Sequence, residues 1–155
     1  FFSADEVLSL AIESRRLLPE VVLSVTVPHI LPLDGQAQLA LDLADSGVDL
    51  IQTEGGTSSH PISPGTLGLI EKASPTLAAT FAISAALKSS NHDVPVICAS
   101  GLSEVTVPMA LSVGANGVGI GSAVNKLNTE LAMIATVKGL RQALDSFRLV
   151  STIKQ

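Results

Sequence analysis

Short apolar segments alternate with helical segments along all 155 residues, and this alternation restricts the fold more than any other feature. Residues 21–27, 48–53, 94–99 and 117–121 have the length and composition of strands, and helix signals fill the intervals. The order is therefore α-β-α-β-α-β-α-β-α. Strands joined through helices pair in parallel with right-handed crossovers, so we expect a parallel sheet covered by helices.

Local signals predict the bounds of the first two helices. Ser3 and Glu6 form a capping-box pair that starts a helix, and Pro19 ends it. Asp34 is expected to cap a second helix over residues 35–46, with Gly47 just beyond its end.

The later helices are predicted in the same way. The Ser63-Pro64 and Ser74-Pro75 pairs each look like a capping residue followed by proline, which predicts two separate helical pieces. Ser103 is expected to cap a helix that ends at Gly114. A final helix should continue to about residue 147, with five apolar residues on one side: Leu127, Leu131, Ile134, Leu140 and Leu144.

Composition excludes several classes of function. Only 15% of the residues are charged, 3% are aromatic and the formal net charge is −5, which argues against a nucleic-acid surface. The one cysteine, Cys98, excludes an internal disulfide framework, and no spaced group of His and carboxylate residues predicts a metal site. No run of about 18 uninterrupted apolar residues predicts a membrane span.

Alternating side chains indicate which kind of sheet this is. Each strand has an apolar face and a second face that becomes polar or very small toward its end: Ser24 and Thr26, Gln52 and Glu54, Cys98 and Ser100, Gly119 and Gly121. Beneath the helices of a doubly wound sheet such polar groups would lack partners, whereas inside a barrel they line the mouth.

We therefore predict that residues 1–155 form a single partial domain, the C-terminal half of a (β/α)₈ TIM barrel. It would hold strands five to eight and their flanking helices. The chain opens with Phe1-Phe2-Ser3, not with an initiator methionine, so we expect the first four strands to lie upstream.

Two glycine-bearing turns predict a phosphate site. Ser100-Gly101 follows the third strand, and Gly119-Ile120-Gly121-Ser122 follows the fourth. Glycine allows close approach of the backbone to a ligand, and each turn leads toward a helix N-terminus, where free N–H groups attract anions. Barrels bind phosphate in these two loops. The alternative is that Gly119 and Gly121 only make room for neighbouring side chains.

Further candidates lie on the first two loops. Glu54 at the mouth suits general acid–base catalysis, and Gly55 and Gly56 would let the loop fold over a ligand. His29 could shuttle a proton, although a solvated Glu54 and a structural His29 are equally compatible with the sequence. Thr26, Gln52 and Ser100 would line the mouth. Cys98 is expected on the inner face as a small buried side chain.

The chain resembles the conserved hypothetical chloroplast open reading frame twenty-three (ycf) family of cyanobacteria, algal plastids and plants. The resemblance rests on residues 23–29, 31–34, 51–59, 67–73, 99–103 and 117–128, and the run Gln-Thr-Glu-Gly-Gly-Thr-Ser-Ser is specific to it. It implies an aldolase-type barrel and a soluble plastid protein, with no activity to carry over.

A looser similarity concerns the cofactor. Flavin-dependent nitronate monooxygenases and inosine-monophosphate dehydrogenases pair the same last two glycine turns with a phosphate. The monooxygenases also have a strand end like Gln52-Thr53-Glu54-Gly55-Gly56, but the histidine that follows there is missing from this chain. FMN is thus allowed by the resemblance but not required by it.

Three hypotheses remain open after the sequence is read. The first is a phosphate-binding barrel, acting on a sugar phosphate or a nucleotide if it is an enzyme. The second is an FMN-dependent oxidoreductase, and the third is a non-catalytic plastid regulatory or assembly protein.

The expected partners are a phosphorylated small molecule and either the N-terminal half-barrel or further copies of the chain. The 155 residues alone should be poorly soluble or oligomeric, because two strand edges would be unpaired.

Overall fold

The computed structural model describes residues 2–56 and 60–153, with side chains as far as residue 147. Within these ranges the elements are α1 (Ala4–Leu17), β1 (Ser24–Thr26), α2 (Leu33–Asp45), β2 (Leu50–Gln52), α3 (Gly65–Ser89), β3 (Val96–Ala99), α4 (Val107–Ser112), β4 (Gly117–Gly119), α5 (Ser122–Asn125) and α6 (Glu130–Ile153). The strands form one parallel sheet in the order β1-β2-β3-β4. The predicted alternation and parallel pairing are confirmed, with two helices instead of one after β4.

The predicted ends of α1 and α2 are partly correct. The amide of Ser3 donates to Glu6 Oε2 at 2.7 Å, and the amide of Glu6 donates to Ser3 Oγ at 3.3 Å, so the capping box is present. Gly47 follows α2 with φ +80°, as expected for a glycine just past a helix. Asp34, however, is not the cap. Pro32 occupies that position, and the Asp34 carboxylate lies in the first turn, where it accepts from the Gly35 amide at 2.9 Å.

The prediction of two helical pieces over residues 63–89 is wrong, because α3 is one helix with Pro75 inside it. Ser74 does not cap a second helix: its hydroxyl donates to the carbonyl of Ile70 at 2.9 Å. Proline removes one helical hydrogen bond. Buried residues on both sides of Pro75, among them Ala73, Thr76 and Ile83, pack on the sheet and keep the helix continuous.

The remaining helix predictions need smaller corrections. Ser103 does not cap α4, since the helix begins at Val107 and the Ser103 amide instead donates to Thr106 Oγ1 at 2.9 Å. The expected apolar side of the final helix is only partly covered: Leu140 is buried, whereas Leu131 is 77% exposed.

Two clusters of buried side chains lie between the sheet and its helices. The first joins α2, β2 and α3 and includes Leu39, Leu43, Ile51 and Ile83. The second lies under α4 and α6 and is made of Ala73, Cys98, Leu102, Val107, Ala110 and Leu140. The helices therefore cover one face of the sheet, here called the covered face.

The opposite face, the open face, carries the alternate residues of each strand: Ser24, Thr26, Leu50, Gln52, Ile97, Ala99, Gly117 and Gly119. Ser24 and Thr26 are exposed, whereas Val27, Ile51 and Thr53 on the covered face are fully buried. The faces predicted for the first two strands are confirmed.

The faces predicted for the third strand are wrong. Cys98 lies on the covered face, fully buried in the second cluster, and Ile97 and Ala99 lie on the open face. The reason is volume. Gly117 and Gly119 leave space on the open face beside β3, and a Cβ on Gly117 would come within 2.9 Å of the Ile97 side chain. Cys98 is nevertheless a small buried residue, as expected.

Candidate functional site

The carboxyl ends of the four strands meet at one edge of the sheet, here called the rim. Residues 27–32, 53–56, 100–103 and 120–123 follow the strands there. Parallel pairing brings all four loops to the same edge, so the sequence-predicted candidates are gathered on it.

The two glycine-bearing turns enclose one pocket of about 240 Å³ between the ends of β3 and β4. We call it the glycine pocket, and its lining consists of Ser100, Gly101, Leu102, Gly119, Ile120, Gly121, Ser122 and Ala123. Five sequence-predicted residues, Ser100, Gly101, Gly119, Gly121 and Ser122, thus lie together around it. Ile120 is the large apolar residue contributed by the second turn.

The backbone of the first turn has an unusual conformation. Ser100 and Gly101, which both line the pocket, have φ values of +78° and +72°, so two successive residues are left-handed. Within the described residues, the amides of 100–102 and 121–123 donate to no backbone or side-chain acceptor of the chain. A group of unpaired N–H donors around a small cavity is complementary to an anion.

Glycine is required at some of these positions and not at others. A Cβ on Gly101 would lie 2.7 Å from the Lys72 carbonyl oxygen, and a Cβ on Gly119 would lie 3.0 Å from the Ala99 Cβ. Gly119 therefore makes room for a neighbour, as the alternative interpretation held. A Cβ on Gly121 would meet nothing within 4 Å, so packing does not explain this glycine.

The expected contribution of helix N-termini to this site is smaller than predicted. The α4 helix begins at Val107, six residues after Gly101, and α5 has four residues. A short helix has a weak macrodipole, since the dipoles of few peptide units add. The donors of the glycine pocket are therefore those of the turns themselves.

The other two predicted candidates meet at the β1–β2 part of the rim. His29 Nδ1 lies 2.7 Å from Glu54 Oε1, and the His29 amide donates to the same oxygen at 3.1 Å. The His29 side chain is 13% exposed and that of Glu54 is 35% exposed. Glu54 is thus a partly covered carboxylate that orients the imidazole, an arrangement suited to proton transfer.

Gly55 and Gly56 connect this pair to the glycine pocket. A Cβ on Gly56, whose φ is +62°, would lie 2.1 Å from His29 Nε2, so only glycine lets the imidazole lie against this backbone. A Cβ on Gly55 would lie 3.4 Å from Ser100 Oγ. The segment 54–56 therefore touches both parts of the rim. Ser58 and Ser59, which continue the run, lie outside the described residues.

Thr26 and Gln52 lie side by side on the open face, since they are register partners on β1 and β2. Thr26 is exposed and Gln52 is half-buried. Each immediately precedes a rim loop, and neither lines the glycine pocket.

A network of buried hydroxyl groups supports the rim from the covered face. Thr53 Oγ1 lies 2.7 Å from Thr76 Oγ1 and 3.1 Å from Thr80 Oγ1, and all three residues are fully buried. Thr76 Oγ1 donates to the Ala99 carbonyl at 2.5 Å. This network ties the residue before Glu54 to the residue before Ser100, and so connects the two parts of the rim through α3.

A second pocket, here called the Gln36 pocket, opens behind the His29–Glu54 pair. It has a volume of about 290 Å³ between α2 and α3 and is lined by His29, Leu31, Pro32, Leu33, Gln36, Glu54, Pro75 and Ala78. Gln36 is 4% exposed; its Nε2 donates to the Leu31 carbonyl at 2.8 Å, whereas its Oε1 has no hydrogen-bond partner among the described residues.

Glu71 and Asp49 are among the carboxylates outside the rim whose pKa lies below its ordinary value. The Ser63 hydroxyl and the amides of Ser63 and Ile62 donate to Glu71 and lower its pKa. The Leu23 amide and the Arg15 guanidinium do the same for Asp49. Glu71 thereby holds the segment that leads from the rim to α3.

The sequence did not single out three of these residues. Lys72 Cγ lies 3.3 Å from the position that a Cβ on Gly101 would take, so the stem of this side chain packs beside the first glycine-bearing turn. No motif in the sequence distinguishes Gln36 or Thr76 from other helical residues. Lys72 and Thr76 could have been placed near the rim if the sequence had predicted one continuous helix over α3. Pro75 instead predicted a break between them.

Within residues 2–56 and 60–153, no group of three His, Cys, Asp or Glu side chains is arranged to hold a metal ion. In the same part of the chain, no helix has the length and apolar character needed to cross a membrane.

Comparison with known proteins gives the family. Residues 1–149 match the family described as "Protein of unknown function (DUF561)". The chain belongs to this family. It is 46% identical over 130 residues to the uncharacterized protein ycf23 of Cyanophora paradoxa, covering 84% of this chain and 51% of that protein. Over 145 residues it is 37% identical to the ycf23 protein of Porphyra purpurea, covering 94% and 53%. The resemblance inferred from the sequence is confirmed, and the chain spans about half the length of these relatives.

The fold also matches a solved structure. The X-ray structure of the YdjI aldolase from Escherichia coli K12, a TIM barrel, superposes with a TM-score of 0.52 over 96% of this chain and 56% of that one. The sequence identity is 15%, so the likeness concerns the fold alone.

Proposed function

We propose that this chain binds the phosphate group of a small molecule in the glycine pocket. The observation that carries the proposal is the set of amides at 100–102 and 121–123, which surround one cavity and have no acceptor among the described residues. Phosphate oxygens are strong acceptors and a phosphate monoester fits a cavity of this size. Ser100 and Ser122, which line the pocket, add hydroxyl groups, and part of the Lys72 side chain lies beside Gly101.

Inorganic phosphate, titrated calorimetrically into the full-length protein and two Gly121 variants, tests this proposal. Because a Cβ at Gly121 would meet no atom of the described residues within 4 Å, both Gly121→Ala and Gly121→Asp should fold and melt like the wild type. The Asp variant adds a negative charge at the cavity and should weaken phosphate binding at least about tenfold, whereas Ala should change it by less than about threefold. Equal affinities in all three proteins would contradict the proposal.

We propose that the His29–Glu54 pair supplies general acid–base catalysis for a phosphorylated substrate such as a sugar phosphate or a nucleotide. The 2.7 Å contact and the partial exposure of both side chains support this role. Glu54→Gln should lower turnover of a phosphorylated substrate about 10²-fold or more while phosphate affinity stays within about twofold. Unchanged turnover would instead favour a non-catalytic regulatory or assembly protein.

FMN is the second candidate ligand of the same pocket. Its phosphate would occupy the glycine pocket and its ring system would have to lie along the rim toward Gln52 and Glu54. A yellow full-length protein, or tight binding of FMN that inorganic phosphate displaces, would assign the pocket to flavin.

We also propose that the chain is the C-terminal half of a closed (β/α)₈ barrel in a longer protein. The relatives are about twice as long, and the open face carries exposed polar residues such as Ser24 and Thr26 that no described element covers. Apolar side chains are exposed at the two ends of the sheet, for example Leu10 and Leu17 on α1 and Leu131 and Val137 on α6. A further half-barrel would cover these side chains and pair both strand edges.

Size-exclusion chromatography and calorimetry of the 155-residue chain test the half-barrel proposal. We expect oligomers or aggregates for the chain alone and a monodisperse species for the full-length protein. A monodisperse monomer of 155 residues with a cooperative melting transition would contradict it.

A plastid location is proposed on the relatives alone, because ycf genes are plastid-encoded in red algae and glaucophytes.

A further inference from the structure

The Gln36 pocket has the features of a second binding site on the rim. It lies in the helix layer between α2 and α3, and the His29–Glu54 pair lines the side toward the sheet. The glycine pocket shares none of its lining residues. A ligand in the Gln36 pocket would therefore contact none of the residues that line the glycine pocket.

The side-chain amide of Gln36 has a defined orientation. Its Nε2 donates to the Leu31 carbonyl at 2.8 Å, so the amide nitrogen faces that carbonyl and Oε1 faces away from it. This Oε1 is buried and has no donor among the described residues. A buried acceptor without a donor is rare in folded proteins, and Gln36, the residue that carries it, lines a cavity, so we look there for a molecule that could donate to it.

The rest of the lining limits the chemistry of that occupant. Leu31, Leu33, Pro75 and Ala78 are apolar, whereas Glu54 adds a second hydrogen-bond acceptor and a negative charge. No lysine or arginine of the described part of the chain lines this pocket. A carboxylate or phosphate group would be repelled, and a purely apolar molecule would leave the Gln36 oxygen unpaired.

We propose that the Gln36 pocket binds a small, largely apolar molecule, or the corresponding part of a larger one, that carries a hydroxyl or N–H donor at one end. The donor bonds to Gln36 Oε1 and the carbon body packs against Leu31, Leu33 and Ala78. Such a ligand lies directly behind the His29–Glu54 pair, so its binding holds that pair in place.

A matched pair of probes tests this proposal on the full-length protein. Cyclohexanol and cyclohexanone have nearly the same size, but only the alcohol donates a hydrogen bond. Titrations followed by the methyl signals of Leu31, Leu33 and Ala78 should give saturable binding of cyclohexanol about tenfold tighter than that of cyclohexanone, because one net hydrogen bond corresponds to about this ratio. Gln36→Met, which keeps the side-chain length but removes the acceptor, should bind both probes equally.

Controls separate this proposal from phosphate binding. Gly121→Asp should leave the preference for cyclohexanol unchanged, and Gln36→Met should leave phosphate affinity within about twofold. If neither probe saturates these methyl signals, or if wild-type protein binds alcohol and ketone equally, the Gln36 pocket holds only water and the proposal is overturned. A preference for the alcohol that survives in Gln36→Met would overturn it as well.

Discussion

The two parts of the rim differ in the chemical groups that they present to a ligand. On the β1–β2 part, the functional groups are the side chains of His29 and Glu54, already hydrogen-bonded to each other. On the β3–β4 part, the groups are backbone amides of the glycine pocket, held in left-handed and turn conformations with no acceptor among the described residues. One part offers a hydrogen-bonded imidazole and carboxylate and the other offers amides without acceptors among the described residues, a difference that fits the proposed roles in catalysis and binding.

The comparison also explains why the two parts respond to different changes. A side-chain site is altered by substituting the side chain that does the chemistry. A backbone site is altered only by changing conformation, charge or space around it. Substitutions on α3 should affect both parts, because Thr76 contacts the residues that precede each of them.

Gly101→Ala should have the largest effect and should act on the β3–β4 part. The new Cβ would lie 2.7 Å from the Lys72 carbonyl oxygen at a φ of +72°, so the turn must move. We expect a loss of about 1–3 kcal/mol in the free energy of unfolding and loss of phosphate binding. Chemical denaturation and a phosphate titration of the full-length protein measure both, and Gly121→Ala is the matched control that should keep both. Unchanged phosphate affinity in Gly101→Ala would show that the β3–β4 part of the rim does not bind phosphate through the conformation of this backbone turn.

Thr76→Val should have the next largest effect and should act on both parts together. The substitution keeps the shape but leaves the Ala99 carbonyl and the Thr53 hydroxyl with one partner fewer, at a cost of about 1–3 kcal/mol. Thr80→Val is the control, since Thr80 contacts Thr53 alone among the residues of this network. Denaturation curves should show a smaller loss for Thr80→Val, and equal losses would contradict the assigned role of Thr76.

Lowering the pH should have the smallest effect and should act on the segment between the two parts. The pKa of Glu71 lies below its ordinary value of 4.5 because Ser63 and Ile62 donate to the carboxylate. The stabilisation is therefore fully present above the unfolded-state pKa and is lost as the pH falls through the lower folded-state pKa.

Hydrogen exchange checks this expectation. After correction for the intrinsic exchange rate, the amides of Ile62 and Ser63 should lose protection between about pH 5 and pH 3 in the wild type. In Glu71→Gln the protection of both amides should be lower at pH 7 and should change little with pH. Protection that does not depend on pH in the wild type would show that Glu71 does not hold this segment.

Much of the fold follows from the sequence because strands and helices leave periodic signals. The alternation of elements, the Ser3–Glu6 capping box and the faces of β1 and β2 are local patterns. The face of β3 is not local, because it depends on the space that Gly117 and Gly119 leave beside Ile97. Pro75 was misleading for a related reason: tertiary packing of α3 outweighs the cost of one missing hydrogen bond.

The candidate site could be predicted to a similar extent. Glycine pairs after strands identify backbone sites, and they led to residues that do lie around one pocket. Gln36 and Lys72 carry no such signal, since a glutamine or a lysine in a helix is usually solvated. Their positions become visible only when α2 and α3 are docked on the rim.

The central claim is that the backbone amides of the glycine pocket bind an anion. Titration of inorganic phosphate into the ¹⁵N-labelled full-length protein, followed by amide chemical shifts, tests it most directly. The amides of residues 100–102 and 121–123 should shift together and saturate at one common affinity, while the amides of His29 and Glu54 change little. Saturable shifts confined to another part of the molecule, or none at all, would contradict the claim.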